Sequence, residues 1–590
     1  MEIRDSNRQD GINEIDTNIL EDGTVGTNCD AVIQSEDYVD LIREYSYEMV
    51  INDMEEFGAD CFQILNEKFA VFHVPLEGRS CEEVYKSVPF IEVPDVFGLA
   101  SRRSLEASGI YPIYQLPGLQ LTGQDVIIGV IDTGIDYTHE AFIYEDGTTK
   151  ILSIWDQTAS DGEPPEGFRY GVEYTEAQIN EALQSEDPYS IVPENDELTH
   201  GTYVAGIAAG RASSDSDFSG AAPDASLIVV KLKPAKKCVM DYYLFKEGAV
   251  GFQSNDIILA SRYLIQKADQ LQKPLVIIFA GGTNLSAHEG NSIMEQYFNS
   301  LGSINGLVTV VPSGDESNAS HHFRGEFHED ETEINMEINV DDGERGFFVF
   351  MWNTAPDRNL VSITSPSGYY TDIIPLESGI KQEITLILEQ TQILVEYHVV
   401  ELLTGEQATF IRFNNPTPGI WTITVHGEII VSGIFDAYLP LTNFVEKNTI
   451  FVSPDPFVTV TDPGDALNVL TVGGYNDVSG SLYLPSGRGF TRNNLIKPDI
   501  VAPSAAIRGP IPNNQYGFLS GTSAGSAITA GACALLLEWA IVRDNNPNID
   551  TLGARNYLIR GATRRQAISY PNREWGFGEL NLLSTFQEAT

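Results

Sequence analysis

The sequence predicts an α/β protein: a doubly wound parallel sheet, interrupted by an antiparallel β domain and preceded by a small α+β module. Three observations carry this. From about residue 125, strand-like runs ("VIIGVID", "ASLIVVKL", "PLVIIFAGG", "LVTVVPSGD") alternate with helical stretches such as "IILASRYLIQKADQL". Continuous Val/Ile runs suit strands covered on both faces, as in a parallel sheet. Between about Phe323 and Phe444 the pattern changes to period-two alternation over many short segments, as in "TEINMEINVDDG", "GFFVFMWNT" and "GIWTITVHGEIIVSG", which is the signature of a β-sandwich or jelly roll. After it, "LNVLTVGGYN", "KPDIVAPS" and the helix "SAGSAITAGACALLLEWAI" return to the α/β style.

Taken in order, residues 1–35 are acidic, rich in Asn and Gly and poor in aromatics, the composition of a disordered tail. Residues 36–99 mix short apolar runs ("YEMVI", "FAVFHVP", "PFIEVP") with helix-like pieces ("DMEEFGADCFQIL", "SCEEVYKSV"), an α+β module. Residues 100–322 and 445–590 form the two parts of one α/β domain, and 323–444 is the insertion. A chain of 590 residues that is 42% hydrophobic can bury several cores.

The N-terminus "MEIRDSNRQDGINEIDTN" has neither the basic nor the apolar region of a signal peptide, and no apolar run is expected to reach the roughly 20 residues of a membrane span. The five cysteines (Cys29, Cys61, Cys81, Cys238, Cys533) are scattered, and the expectation is structural thiols in a reducing compartment. With 84 Asp plus Glu against 35 Lys plus Arg, the net charge is −49. Such a surface repels phosphate backbones and anionic lipid, so neither nucleic acid nor membrane is expected as a partner.

Chemistry concentrates in three motifs. "VIDTGID" puts Asp132 at the end of a buried-type strand, where ligands and catalytic groups collect in parallel sheets. "ELTHGTYVAGIAAG" puts His200 before a helix of small residues, and "LSGTSAGSAITAGACALLLEWA" puts Ser523 in a Gly-Thr-Ser turn opening another. Singly, each has an ordinary structural reading: a turn cap, a core histidine, an N-cap. No second Asp-Thr-Gly or Asp-Ser-Gly exists to build an aspartic-protease dyad, and His139-Glu140 and His288-Glu289 lack the second His of a zinc protease. His321-His322 reads as a structural pair. The order Asp, His, Ser is that of subtilisin rather than chymotrypsin.

Together "VIDTGID", "HGTYVAGI" and "SGTSAGSA" resemble the active-site motifs of the subtilases, over residues 100–322 and 445–590. The resemblance implies a serine endopeptidase in which Asp132 orients His200 and His200 takes the proton of Ser523, the nucleophile. "GTNLSAHEG", "SGRGFTRNNLIKPDIVAP" and the inserted domain narrow it to the clostridial Csp germination proteases and related Firmicute subtilases. That family implies that residues 36–99 are a prodomain, cleaved by the enzyme itself within "VFGLAS", Val96 to Ser101. It also implies a jelly-roll insertion, a cytoplasmic or spore-packaged location, and a protein substrate such as the zymogen of a spore cortex-lytic enzyme. No cofactor is implied, although calcium stabilises many subtilases; no acidic loop has a spacing that names ligands.

Two positions depart from the family. Where subtilases present an oxyanion Asn in Gly-Asn-Glu-Gly, this chain reads Gly314-Asp315-Glu316-Ser317. An ionised carboxylate cannot donate to the oxyanion formed beside the Ser523 backbone N–H. Either Asp315 is protonated and donates, or the enzyme is slow. At the substrate-binding strand, Ala280-Gly281-Gly282 replaces a Ser-Leu-Gly-like edge; main-chain pairing with a peptide survives this, inherited side-chain specificity does not. The rival reading is a degenerate subtilase that binds or regulates without catalysis.

Overall fold

A computed structural model describes residues 24–26, 29–44, 58–65, 68–94, 96–99, 107–213 and 218–589. Its centre is an eight-stranded sheet in the order Ile500–Pro503, Leu470–Tyr475, Leu307–Pro312, Leu275–Phe279, Ile127–Asp132, Ser226–Lys231, Ile151–Asp156 and Val172–Thr175. All neighbours are parallel except the last pair, so the expected parallel sheet is mixed at one edge. The period-two geometry of a strand separates its side chains between two cores. Ile128 and Val130 face one core, with the helices His200–Ala209 and Thr522–Leu537; Ile127 and Ile131 face the other, with Ser254–Leu271 and Ile293–Leu301. Burial on both faces explains why these strands read as unbroken apolar runs.

Between Leu307–Pro312 and Leu470–Tyr475, in chain order, lie two further antiparallel sheets. One has six strands and includes Gly346–Asn353 and Gln407–Asn414; the other has four and includes Glu333–Val340 and Gly419–Ile429. They share a core containing Met336, Ile338, Val349, Ile411, Trp421 and Ile423. The four-stranded sheet ends with Ile450–Phe451, past the boundary expected at 444. Gly346–Asn353 is buried along its whole length. Phe347, Val349 and Met351 fill the shared core, while Phe348, Phe350 and Trp352 turn outward into a second core with Phe72, Val74 and Tyr85 of the N-terminal module and Tyr243 of the α/β domain. The three units are therefore packed on one another.

The N-terminal module is a four-stranded sheet, Thr24–Gly26, Cys61–Ile64, Phe69–Pro75 and Tyr38–Glu44, with the short helix Cys81–Tyr85. The tail expected over 1–35 is corrected in its last third: Thr24–Gly26 pairs with Cys61–Ile64, and Val32 and Ile33 are buried in the core beneath. These few apolar side chains are ordered by surfaces distant in the sequence, which composition does not register. Residues 1–23, like "YEMVI" at 47–51, lie outside the described residues.

The expectation of thiols is also corrected. Cys29 pairs with Cys61 and Cys81 with Cys238, leaving Cys533 free and buried. The partners are 32 and 157 residues apart, so only the fold brings them together, and such bridges form in oxidising surroundings. The membrane-span expectation needs a similar amendment: Thr522–Val542 is long and apolar enough to cross a bilayer, but it is packed inside the α/β domain.

A buried ionic cluster joins the module to the α/β domain. Asp40 Oδ1 lies 2.8 Å from Lys236 Nζ and 2.7 Å from His73 Nδ1, and Gln253 Nε2 donates to Asp40 Oδ2 at 3.0 Å. Burial would raise the Asp40 carboxyl, but the Lys236 ammonium and His73 overcome it and hold the group well below the ordinary carboxylate range. We expect Asp40→Ala to lower unfolding free energy by about 3–5 kcal/mol, because Lys236 is left buried and uncompensated. Denaturant titration measures this. A carboxyl depressed on folding stabilises fully above its unfolded value of about 3.9 and loses that contribution as the pH falls further. The deficit of the variant should therefore be constant above about pH 4 and shrink below it.

Candidate active site

Asp132 ends its strand, buried, at the carboxyl edge of the sheet. His200 opens the helix His200–Ala209, and its Nδ1 sits 2.7 and 2.9 Å from the two Asp132 carboxylate oxygens. An N–H on Nδ1 donating to that carboxylate leaves Nε2 as the acceptor, the tautomer a general base needs. The approach depends on Gly201: a Cβ there would meet the Gly134 carbonyl oxygen at 2.1 Å and Asp132 Cβ at 3.2 Å.

The helix that carries His200 has no cap of its own. Thr199, at the N-cap, is left-handed with φ 72° and makes no capping bond. Buried Asp196 substitutes: its Oδ2 accepts from Thr202 N–H at 2.8 Å and Thr202 Oγ1 at 2.7 Å. Its Oδ1 accepts from Thr133 Oγ1 at 2.8 Å, and Thr133 Oγ1 in turn accepts from Gly201 N–H at 2.9 Å. One carboxylate thus fixes the Asp132 loop against the His200 helix. Sequence reading missed Asp196; its only signal was an acid four residues before the histidine.

Ser523 lies in the first turn of Thr522–Leu537, a helix packed against His200–Ala209. It is fully buried, and its Oγ donates to the Ala280 carbonyl at 3.4 Å. A helix N-terminus favours negative charge developing beside it. Asp315 faces this same end: its Oδ1 accepts from Thr522 N–H at 3.1 Å and Thr522 Oγ1 at 3.0 Å. The carboxylate is an acceptor for the residue before Ser523, whereas the family's Asn would offer a donor. Next to it Glu316 is committed elsewhere, accepting from Thr442 N–H at 3.1 Å and Thr442 Oγ1 at 2.9 Å and pairing with His321 Nδ1 at 2.8 Å. His322 Nε2 lies 2.9 Å from Asp436 Oδ1, so both members of the His321-His322 pair are held by carboxylates.

The strand Gly281–Gly282 is paired, and its partner is the chain itself. Val96–Leu99 runs antiparallel to it, with Gly281 opposite Leu99 and Gly282 opposite Gly98. On its other edge Phe97 faces Phe252 and Val96 faces Gln253. Residues 96–99 are thus the middle strand of three, paired with the two residues that follow Ala280, whose carbonyl accepts from Ser523 Oγ. Nothing in "VGFQSND" marked Phe252–Gln253 as the second edge, since a two-residue strand leaves no periodicity. Beyond Gly282 a cavity of about 450 Å³ opens, bordered by Gly314, Asp315, Glu316, Thr461 and by Thr442, Glu446 and Lys447 from the segment that joins the six-stranded to the four-stranded inserted sheet.

The arrangement provides a carboxylate-oriented imidazole, a hydroxyl at a helix N-terminus and a short strand edge paired with residues 96–99. Comparisons with known proteins give the family. The subtilase family model matches residues 123–258 and 448–578. The solved structure of the Clostridium perfringens CspB protease superposes with a TM-score of 0.73 at 32% identity, covering 82% of this chain and 97% of that one. The membrane-bound transcription factor site-1 protease of Mus musculus is 30% identical over 174 residues, 28% of this chain and 14% of that protein. The C5a peptidase of Streptococcus pyogenes is 22% identical over 441 residues, 70% and 35% of the two chains. The chain thus spans only about 14% of the length of the site-1 proteases it matches.

Proposed function

The chain belongs to the subtilase family of subtilisin-like serine proteases, and from that premise we propose that it is an endopeptidase whose first substrate is itself. Asp132 orients His200, His200 takes the Ser523 proton, and Ser523 Oγ attacks a peptide carbonyl. The N-terminal module is the prodomain in this reading, and the inserted pair of sheets is a jelly roll.

The observation that carries the proposal is the Val96–Leu99 strand between Phe252–Gln253 and Gly281–Gly282. An extended segment added to a free sheet edge is how proteases hold peptides, and this one lies beside the Ser523–Ala280 contact. Within the stretch Val96 to Ser101, the Leu99–Gly281 pair favours Ala100–Ser101 as the scissile bond, which lies outside the described residues. We expect N-terminal sequencing of the large fragment to read Ser-Arg-Arg-Ser-Leu. A different start moves the bond; an uncut chain removes the proposal.

For substrates in trans, the resemblance to the Csp proteases supports a protein zymogen such as a spore cortex-lytic enzyme. Incubation with such a zymogen should give one shortened product, absent with Ser523→Ala. The rival reading, a binding protein without catalysis, draws on Asp315, whose carboxylate occupies the place of an oxyanion donor. It predicts no cleavage of either kind.

A further inference from the structure

We propose that the Cys81–Cys238 bridge makes this a redox-gated protease: it keeps the N-terminal module covalently attached after self-cleavage, and a dithiol reductant releases it. The proposal rests on the self-cleavage reading above, and goes beyond it.

Cys81 belongs to the N-terminal module, on the helix Cys81–Tyr85, and Cys238 to the α/β domain, on the helix Lys237–Tyr242. The bridge therefore spans the proposed cut at Ala100–Ser101. Breaking that peptide bond leaves two polypeptides joined through sulfur. The anchor lies 15 residues before Val96, the first residue of the strand that fills the cleft. Further contacts hold the same helix in place: Arg412 Nη1 pairs with Glu82 Oε1 at 2.8 Å, and Lys381 Nζ donates to the Tyr85 and Val88 carbonyls, both at 2.6 Å. The other bridge, Cys29–Cys61, closes a loop inside the module and has no such effect.

A tethered blocker acts at an effective concentration of roughly millimolar, however dilute the enzyme. A module that binds with a dissociation constant of about 1 μM then leaves on the order of one cleft in 10³ open while tethered. Untethered at nanomolar enzyme, the same module leaves nearly all clefts open. The chemistry that switches between these states is thiol–disulfide exchange. A thiolate of the reductant attacks Cys81 Sγ, which belongs to a half-buried residue, and buried Cys238 departs as thiolate. The second thiol of the reductant then closes its own disulfide and frees Cys81. Two electrons pass from dithiol to bridge, and the two protons end on the cysteines.

The test begins with the purified, self-cleaved chain on denaturing gels. Without reductant it should migrate as one 590-residue species; with dithiothreitol it should split into about 100 and 490 residues. In solution, cleavage of a fluorogenic peptide spanning residues 95–104 should be low and independent of dilution before reduction. After reduction it should rise on the order of 10²–10³-fold at nanomolar enzyme and fall again as the enzyme is concentrated. Cys81→Ser should give the split without reductant and show no dithiol response, although Cys29–Cys61 is intact. Fragments that separate without reductant, or inhibition that is relieved by dilution alone, would overturn the tether. A Ser523→Ala chain carrying a recognition site for an exogenous endopeptidase in place of residues 101–106 separates the two claims. Its cut is made from outside, so the gel reads the bridge whether or not the parent cleaves itself, and an uncut parent counts against the proposed function alone.

Discussion

Replacing Ser523 by Ala is expected to leave the chain in one piece and to lower peptide turnover by about six orders of magnitude, the loss that the same replacement causes in subtilisin. The size follows from the role: without Oγ there is no covalent intermediate, and the Asp132–His200 pair has no hydroxyl to deprotonate. The substitution should be silent for folding. The change removes one oxygen from a buried position, and Ala is a good helix former in the first turn of Thr522–Leu537. Denaturant midpoints of parent and variant should agree while their gels differ. Cleavage that persists in the variant would assign the activity to a contaminant or to another nucleophile.

Asp315→Asn should act in the opposite direction. The two side chains have the same shape, so Oδ1 of the amide can keep accepting from Thr522 N–H and Oγ1 as the carboxylate does. The other oxygen becomes an NH₂ donor, and a negative charge leaves the helix end where the oxyanion develops. Loss of this donor costs about 10²–10³ in turnover, a figure obtained on subtilisin itself, and restoring it should raise kcat by a similar factor with little change in KM. A donor that acts only on the transition state moves kcat alone, whereas a merely structural repair would move stability instead. Unchanged or lower turnover would mean that Asp315 is already protonated and donating. Read with Ser523→Ala, the pair distinguishes a slow enzyme from a binding protein: the binding protein gains nothing from an amide at 315.

Much of the α/β domain was legible because burial on both sheet faces forces continuous apolar strands, and because small residues must line helices that approach as closely as His200–Ala209 and Thr522–Leu537. The mixed edge at Val172–Thr175 was not, since strand direction leaves no mark in composition. The inserted sheets were legible by alternation, except on Gly346–Asn353, where the expected solvent face is covered by the N-terminal module. Asp132, His200 and Ser523 were candidates from local motifs; Asp196, which braces two of those motifs, was missed because its partners Thr133 and Thr202 are ordinary residues until the chain folds.

The sequence by itself determined the periodicities, the order Asp, His, Ser and the substitution at 315, because each is a property of neighbouring residues along the polymer. Tertiary structure alone decided which cysteines meet, which strand fills the cleft and which carboxylates are buried against cations. Those outcomes depend on distances between segments up to hundreds of residues apart, and such distances are set by the packing of the three units on one another.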